Sequence, residues 1–339
     1  MPRRLALRIS VYFAAAILSF CAGCASDDGT DALPARRGPI EGTFIQYQDW
    51  MMKMNARDWR RELDAMRRAG LRLVIIQWLQ TDKSRFMPED TTATDPTRVI
   101  LEYADAHDMR VFVGLAYADF WWKRINDVDY LARTSVKNMR LADEVWKRYG
   151  RHRSFAGWYF PQELRDANYP SQHFSRIRDF LKQLGDHCRA LSGGKPVSMA
   201  PAVAGLETPD VFRDVYISIL MGSGVDILMF QDGIGARDWG ADFEERITPY
   251  FRAMRAACDA AGVEMWADTE VFHHRGGPSR SEPATIDRIK RQLAAESPFV
   301  KSFVMFDFFH YMSPYRGGAQ KKLYKDYLRE LTSPADSSR

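Results

Sequence analysis

Two segments of the chain end an apolar run with a carboxylate. Residues 155–164 are Phe-Ala-Gly-Trp-Tyr-Phe-Pro-Gln-Glu-Leu, and Glu163 follows a proline that stops a buried strand because it has no N–H to donate. Residues 263–272 are Val-Glu-Met-Trp-Ala-Asp-Thr-Glu-Val-Phe, and Glu270 lies just past the apolar part. Both glutamates, 107 positions apart, are therefore expected at the carboxyl ends of strands, where parallel α/β folds place their chemistry.

Two carboxyl groups that face each other across a cleft are suited to breaking a glycosidic bond. One must be protonated to donate to the leaving oxygen, and the other must be ionised to attack the anomeric carbon or to activate water. Burial raises the pKa of the first group, while hydrogen-bond donors keep the pKa of the second low. We expect a carboxyl separation of about 5–5.5 Å, which is the distance of a retaining mechanism.

The elements that must position these groups form a pattern repeated eight times, a short apolar strand followed by an amphipathic helix. The predicted strands are 40–46, 71–78, 109–116, the strand within 155–164, 196–200, 225–230, 263–267 and 303–306. The predicted helices are 56–69, 96–107, 128–149, 171–191, 209–221, 242–261, 283–296 and 319–331. Continuously hydrophobic strands alternating with helices predict a parallel sheet with helices outside it.

Eight such units predict an α/β fold, a closed (β/α)8 TIM barrel formed by one domain over residues 39–333. The alternative is an open, doubly wound sheet. That fold usually begins with a glycine-rich phosphate loop, and no such loop follows the first strand.

In a closed barrel the residues that follow the strands converge on one mouth. They are carboxylates, amides and aromatic residues, a combination that binds sugar hydroxyls and stacks on pyranose rings. The candidates for substrate binding are Gln46, Gln77, Trp78, Tyr117, Gln162, Gln231, Asp232, His273 and Asp307. The composition predicts a carbohydrate substrate and indicates no cofactor.

The sequence also resembles known families in three short motifs. Gly42-Thr43-Phe44-Ile45-Gln46, the Ile-Gln-Trp after the second strand, and residues 157–163 are similar to the bacterial domain-of-unknown-function family 4434, over about residues 39–330. That family is grouped by similarity with the retaining barrel glycosidases, which carry glutamates after strands four and seven. The resemblance implies that Glu163 is the acid/base and Glu270 the nucleophile. Gln162 stands where that clan has an asparagine.

The amino terminus is predicted to be a targeting segment and not part of the fold. Three arginines precede the apolar stretch 9–20, and Cys21-Ala22-Gly23-Cys24 resembles a bacterial lipobox, with Cys21 in place of the usual leucine. We therefore expect a signal peptide at 1–23, lipidation of Cys24, a polar tether at 24–38 and a disordered tail at 334–339. Because alanine and not aspartate follows Cys24, the resemblance favours the outer membrane; secretion with cleavage nearby is the alternative.

The charge of the mature chain excludes a nucleic-acid-binding surface. The whole chain has 48 basic and 44 acidic residues; without Arg3, Arg4 and Arg8 of the targeting segment, 45 basic residues face 44 acidic ones. There is no Gly-x-Ser-x-Gly motif of a serine hydrolase. Cys188 and Cys258 lie in separate helical patterns and are expected to be unpaired buried thiols. Nothing in the sequence indicates an oligomeric state.

Two other functions remain open at this stage. The same barrel could bind carbohydrate without catalysis, through its amides and aromatic rings alone. Alternatively, His273, His274 and Asp268 could hold a metal ion in a hydrolase of another kind, although adjacent histidines point in different directions and a metal site usually needs well-spaced ligands.

Overall fold

The computed structural model describes residues 36–89, 93–166, 174–237, 239–275 and 281–334. The predicted signal peptide, Cys24, most of the tether and almost all of the carboxyl-terminal tail lie outside the described residues. The end of the predicted tether, Arg36–Arg37, pairs as a short antiparallel strand with Ser333–Pro334. The ordered backbone therefore begins before residue 39.

Eight parallel strands close into a barrel, which confirms the predicted (β/α)8 fold. They are β1 (Gly42–Ile45), β2 (Leu73–Ile76), β3 (Arg110–Gly114), β4 (Phe155–Phe160), β5 (Val197–Met199), β6 (Ile227–Gln231), β7 (Glu264–Glu270) and β8 (Ser302–Phe306). Each strand pairs with the next along the chain, and β8 pairs with β1. Closure leaves no sheet edge, so the open-sheet alternative is wrong.

A helix follows every strand and packs on the outside of the barrel. These helices are α1 (Ala56–Arg68), α2 (Pro96–Ala106), α3 (Val128–Tyr149), α4 (Phe174–Ser192), α5 (Pro209–Leu220), α6 (Phe243–Ala261), α7 (Ile286–Glu296) and α8 (Gly318–Glu330). The seventh helix begins three residues later than predicted, because Ser281–Pro283 pairs with Phe272–His274 and Thr285 caps the helix. The predicted start of α4 at 171 lies outside the described residues.

The strands are hydrophobic on both faces because each face packs into a different part of the core. One set of side chains fills the barrel interior: Phe44, Leu73, Ile75, Phe112, Tyr159, Ala200, Met229, Trp266 and Val304. The other set packs against the helices in a second and larger cluster. Successive residues of a strand alternate between these faces, so sequence parity decides which polar side chain reaches the interior.

Helix starts and stops follow ordinary capping chemistry. Asn55, Asp95, Thr208 and Thr285 each accept a hydrogen bond from the N–H three residues later. Helix α6 ends at Gly262, whose φ of 69° is a left-handed conformation that suits glycine. These signals are local, which is why sequence alone located the helices.

Two further properties of the described residues bear on the sequence predictions. Cys188 and Cys258 are free and buried, as expected, and burial raises the pKa of each thiol to about 12. Within the described ranges, no helix is both long and apolar enough to cross a membrane.

Candidate active site

Glu163 lies three residues beyond the end of β4, half-buried at the carboxyl end of the barrel. The Gln231 side-chain amide donates to its Oε1 at 3.3 Å. The indole N–H of the buried Trp121 donates to the Glu163 carbonyl oxygen at 2.5 Å and fixes the backbone there. Burial raises the pKa of this carboxyl to about 6, against the Gln231 hydrogen bond and the charge of Arg165.

Glu270 is the last residue of β7 and is only 4% exposed. The Ala236 backbone N–H, in the loop after β6, donates to its Oε2 at 2.6 Å. That loop lies directly on the glutamate: a Cβ on Gly235 would be 3.0 Å from Oε2 and 2.2 Å from the Phe272 carbonyl oxygen. Only glycine allows the approach, so Gly235 is part of the packing that places Glu270.

The protonation of Glu270 differs from the sequence-based expectation. Burial, and then the charge of Asp232, raise its pKa to about 8, although the Ala236 N–H and the charge of Arg288 oppose the change. We expected polar contacts to keep the pKa of this carboxyl low. Because the contacts are few and the burial nearly complete, desolvation is the larger effect. In the free protein Glu270 is therefore the weaker acid of the two.

The charges of both glutamates act on a third carboxyl, that of Asp268. Asp268 is 1% exposed, and burial is the largest cause of its raised pKa. The next causes, from larger to smaller, are the charges of Glu270, Asp232, Glu163 and Asp307. Gln231, which contacts Glu163, pairs with Asp268 in the register of β6 and β7. Asp268 Oδ1 has no hydrogen-bond partner among the described residues. Glu163 and Glu270 therefore lie at the same end of the barrel, and their retaining separation stays a prediction.

Three of the predicted substrate-binding residues form one side of the mouth. The rings of Trp78 and Tyr117 lie 5.4 Å apart at 33°, and the Trp78 indole N–H donates to the Tyr47 carbonyl oxygen at 3.2 Å. Burial, and then the charge of Glu163, raise the pKa of Tyr117 to about 12. Gln77 is buried, and its Oε1 has no partner within the described chain.

The other two predicted glutamines differ in accessibility. Gln46 is half-buried and accepts a hydrogen bond from the Gln48 amide at 3.1 Å. Gln162 is completely buried, and its amide donates to the Ala116 carbonyl oxygen at 2.6 Å. It thereby ties the end of β4 to the end of β3, next to Glu163, and its contact with substrate stays a prediction.

Asp232 and Asp307 are likewise completely buried. Gln231 contacts Glu163, whereas the next residue, Asp232, has the opposite parity and contacts Gln292 of α7, behind the strand. Asp307 accepts from the backbone N–H and from Nδ1 of His310, each at 2.7 Å, and so caps a short helix. Burial lowers the His310 pKa, but the Asp307 charge and hydrogen bond outweigh it and raise that pKa. Groups of the protein therefore hold both aspartates, and their contact with substrate stays a prediction.

The histidine pair lies in the hairpin that follows β7. His274 Nδ1 is 2.7 Å from Ser281 Oγ, and His273 Nε2 accepts from Arg275 Nε at 3.1 Å. Burial lowers the pKa of both imidazoles. Across the described residues there is no group of three or more His, Cys, Asp and Glu side chains that could hold a metal ion.

Sequence reasoning missed three polar residues on α7 that contact the site from behind. They are Arg288, Gln292 and Glu296, spaced four apart on the buried face of the helix. Arg288 Nη2 donates to the carbonyl oxygens of Glu270 and Phe272 at 2.7 and 2.6 Å. One sequence signal could have found them: the three polar residues recur every four positions, on the same side of the helix as the apolar residues Ile289 and Leu293, which are buried.

Comparisons with known proteins agree with the motif resemblance. Residues 40–317 match the family model described as Domain of unknown function (DUF4434). No protein of curated function matches the sequence. A proposed α-L-fucosidase from Bacteroides thetaiotaomicron VPI-5482 has a similar structure, with a TM-score of 0.67 and 23% identity over 88% of this chain and 98% of that one.

Two larger enzymes contain the same kind of barrel. A GH2 β-galacturonidase from Eisenbergiella tayi bound to galacturonate has a TM-score of 0.56 at 11% identity, over 87% of this chain and 52% of that one. A β-galactosidase from Marinomonas ef1 has a TM-score of 0.53 at 11% identity, over 86% and 58%. At these identities the likeness establishes the fold, one that glycoside hydrolases use.

Proposed function

The chain belongs to the family described as Domain of unknown function (DUF4434), and on that premise we propose that it is a glycoside hydrolase. Its substrate would be the O-glycosidic bonds of an extracytoplasmic polysaccharide or oligosaccharide. The observation that supports the proposal is that Glu163 and Glu270 lie at the carboxyl end of a closed barrel, where the charges of both act on Asp268. The Trp78–Tyr117 aromatic pair beside Glu163 suits stacking on a sugar ring.

In the proposed reaction Glu163 is the acid/base and Glu270 the nucleophile. Glu163 protonates the leaving oxygen while Glu270 attacks the anomeric carbon, which gives a covalent glycosyl-enzyme with retention. Glu163 then removes a proton from the water that releases the sugar. A pKa of about 6 suits this double use of Glu163, because the group exchanges its proton near neutral pH.

The raised pKa of Glu270 limits how much of the free protein is ready to react. Because burial raises the pKa of Glu270 above that of Glu163, only a small part of the singly protonated protein has its proton on Glu163. We expect kcat/KM to follow a bell-shaped curve with limbs near these two values. The same order of pKa values would suit exchanged roles, with Glu270 as the acid, and chemical trapping of the nucleophile distinguishes the two assignments.

The experiment that tests the function is a screen of the purified protein against a panel of glycans, with release of reducing ends as the readout. On any substrate that is found, Glu163→Gln should lower kcat by about 10²–10⁴-fold and Glu270→Gln should abolish turnover. The matched control is Glu102→Gln, a change at an exposed position of α2. Wild-type turnover by both site variants would contradict the proposal.

A non-catalytic carbohydrate-binding protein is the second candidate, and the aromatic pair is the observation that favours it. Binding of a glycan whose affinity falls in Trp78→Ala, without release of reducing ends by the wild type, would support this function. A carboxyl separation well above about 10 Å would also favour it over both hydrolytic geometries.

We further propose that the protein is exported and anchored by a lipid on Cys24, on the outer membrane. The support is the sequence alone: a basic and apolar amino terminus followed by a lipobox-like Cys21-Ala22-Gly23-Cys24. Fractionation of cells that express the full chain tests this, because Cys24→Ser should move the protein out of the membrane fraction.

A further inference from the structure

A second pair of carboxyl groups lies directly behind Glu270. Asp232, after β6, and Glu296, at the end of α7, are both 0% exposed, and a side-chain hydrogen bond with the other residue is among the causes that shift the pKa of each. Neither group faces the mouth of the barrel. The pair touches the site through the backbone N–H of Glu270, which lies 3.3 Å from Asp232 Oδ2.

The hydrogen bonds around the pair indicate where a proton must be. Asp232 already accepts from the N–H of Ile234 at 3.0 Å and from the Gln292 amide at 2.5 Å, as an ionised carboxylate would. Glu296 accepts from Thr269 Oγ1 on Oε2, whereas its Oε1 has no partner in the described chain. Two ionised carboxylates cannot bond to each other, but a proton on Glu296 makes it a donor.

The charge balance gives the same answer. Three buried carboxyl groups, those of Asp232, Glu296 and Glu270, interact here with the guanidinium of Arg288, and the charges of Glu270 and Asp232 also act on a fourth buried carboxyl, that of Asp268. Full ionisation would leave a large uncompensated negative charge away from water. Burial raises the pKa of both Asp232 and Glu296, and for Glu296 the Asp232 charge and hydrogen bond raise it further.

We propose that Asp232 and Glu296 share one proton, held mainly by Glu296, and that this buried acid pair positions Glu270. Glu296 donates to Asp232, which remains ionised and accepts from the Glu270 N–H. Gln292 completes the unit, because its amide bonds both Asp232 and the Glu270 carbonyl oxygen, at 2.5 and 3.2 Å. Asp232 and Glu296 are positioning residues, since neither reaches the mouth.

The shared proton is tested first by stability, which does not depend on the proposed enzymatic function. A glutamine at 296 imitates a protonated glutamate, because its amide can donate to Asp232 while its oxygen accepts from Thr269. We expect Glu296→Gln to melt within about 2 °C of the wild type, and Glu296→Ala to melt about 3–8 °C lower. Equal losses in the two variants would overturn the proposal.

Glu62 provides the matched control. It is also 0% exposed, but it faces a guanidinium, that of Arg316, at 3.1 Å. Glu62→Gln removes the charge that balances Arg316, so we expect this variant to lose stability where Glu296→Gln does not. If Glu296→Gln and Glu62→Gln lose stability equally, position 296 tolerates a neutral side chain no better than position 62, where the glutamate is paired with Arg316. That result would overturn the proposal.

Infrared spectroscopy detects the proton itself. The difference spectrum of wild type minus Glu296→Gln near neutral pH should contain the carbonyl band of a protonated carboxylic acid. Its absence would overturn the proposal. Glu270 and Asp268 are the other titrating groups that face the pair, so Glu270→Gln and Asp268→Asn spectra show whether either of them is the source of the band.

The effect on Glu270 is the one part that rests on the proposed function. On a substrate found by the glycan screen, Glu296→Gln should keep kcat within about threefold of the wild type, and Asp232→Asn should lower it, with the alkaline limb of the pH profile displaced. If no substrate is found, the infrared and melting results still decide whether the proton is shared. An unchanged kcat and pH profile in Asp232→Asn would remove the positioning role.

Discussion

Replacing Glu270 by glutamine should make the stability of this protein less sensitive to pH. The Glu270 pKa is about 8 in the folded chain, against an ordinary value of 4.5. The folded state therefore binds this proton more tightly than the unfolded state does. The contribution of Glu270 to the free energy of unfolding is therefore highest below about pH 4.5, falls as the pH rises, and becomes level above about pH 8.

The size of this effect follows from the difference between the two pKa values. Each tenfold change in proton affinity corresponds to about 1.4 kcal/mol, so the gap between 4.5 and about 8 amounts to at most about 5 kcal/mol. For a chain of this length a change of 1 kcal/mol moves Tm by about 2 °C, so the wild type could lose about 10 °C through this group. A glutamine at 270 still accepts from the Ala236 N–H but cannot ionise.

The assay is thermal unfolding of the wild type and Glu270→Gln from about pH 5 to about pH 9. The two proteins should melt at similar temperatures at the acid end, and the variant should melt at the higher temperature at the alkaline end. The difference between the curves removes the contribution of other titrating groups that both proteins share. Parallel curves would refute the assigned burial and pKa of Glu270, and with them the protonation argument for the site.

Three other changes have defined outcomes. Asp268→Asn should lower kcat on an identified glycan. Its melting temperature at alkaline pH should be near or above that of the wild type, because the change removes a buried carboxyl whose pKa is raised by burial. A lower melting temperature with an unchanged kcat would contradict this prediction. Trp78→Ala should raise KM about tenfold with little change in kcat, as steady-state kinetics would show. Gly235→Ala should cost about 1–3 kcal/mol in denaturant unfolding, because its Cβ would lie 2.2 Å from a carbonyl oxygen; unchanged stability would show that the loop yields easily.

Much of the fold could be predicted because its signals are local. Strands buried on both faces are short apolar runs, and the helices between them begin at residues such as Thr208 and Asp95 and stop at residues such as Gly262. The predicted closure into a barrel was correct because eight repeats of one unit leave few other arrangements. The start of α7 was placed too early because the hairpin at Ser281–Pro283 carries no clear strand pattern.

The approximate position of the site was also predictable, since strand ends in a parallel barrel all point to one mouth. The direction of each side chain was harder to predict. Gln231 and Asp232 both follow an apolar run, yet one contacts Glu163 and the other contacts α7, because neighbours along a strand face opposite sides. The sequence shows the end of a strand to within a residue or two, and an error of one residue exchanges the faces.

The protonation of the site could not be predicted from sequence. The pKa of Glu270 depends on burial beneath the loop at Gly235 and on the charge of Asp232, and both arise only when the chain is folded. The acid pair was missed for a related reason. Arg288, Gln292 and Glu296 have the four-residue spacing of an exposed, charged helix face, and the one sequence signal against that reading is their overlap with the apolar face of Ile289 and Leu293.

The most direct test of the central claim is chemical trapping of the nucleophile. The protein would be incubated with a 2-deoxy-2-fluoroglycoside of whichever sugar the glycan screen identifies, digested, and analysed by mass spectrometry. We predict one covalent adduct per protein on the peptide that contains Glu270, and faster accumulation of the adduct in wild type than in Glu163→Gln. Steady hydrolysis of the parent glycoside with no adduct on Glu270 or Glu163 would contradict the claim that one of these two carboxyl groups attacks the anomeric carbon while the other protonates the leaving oxygen.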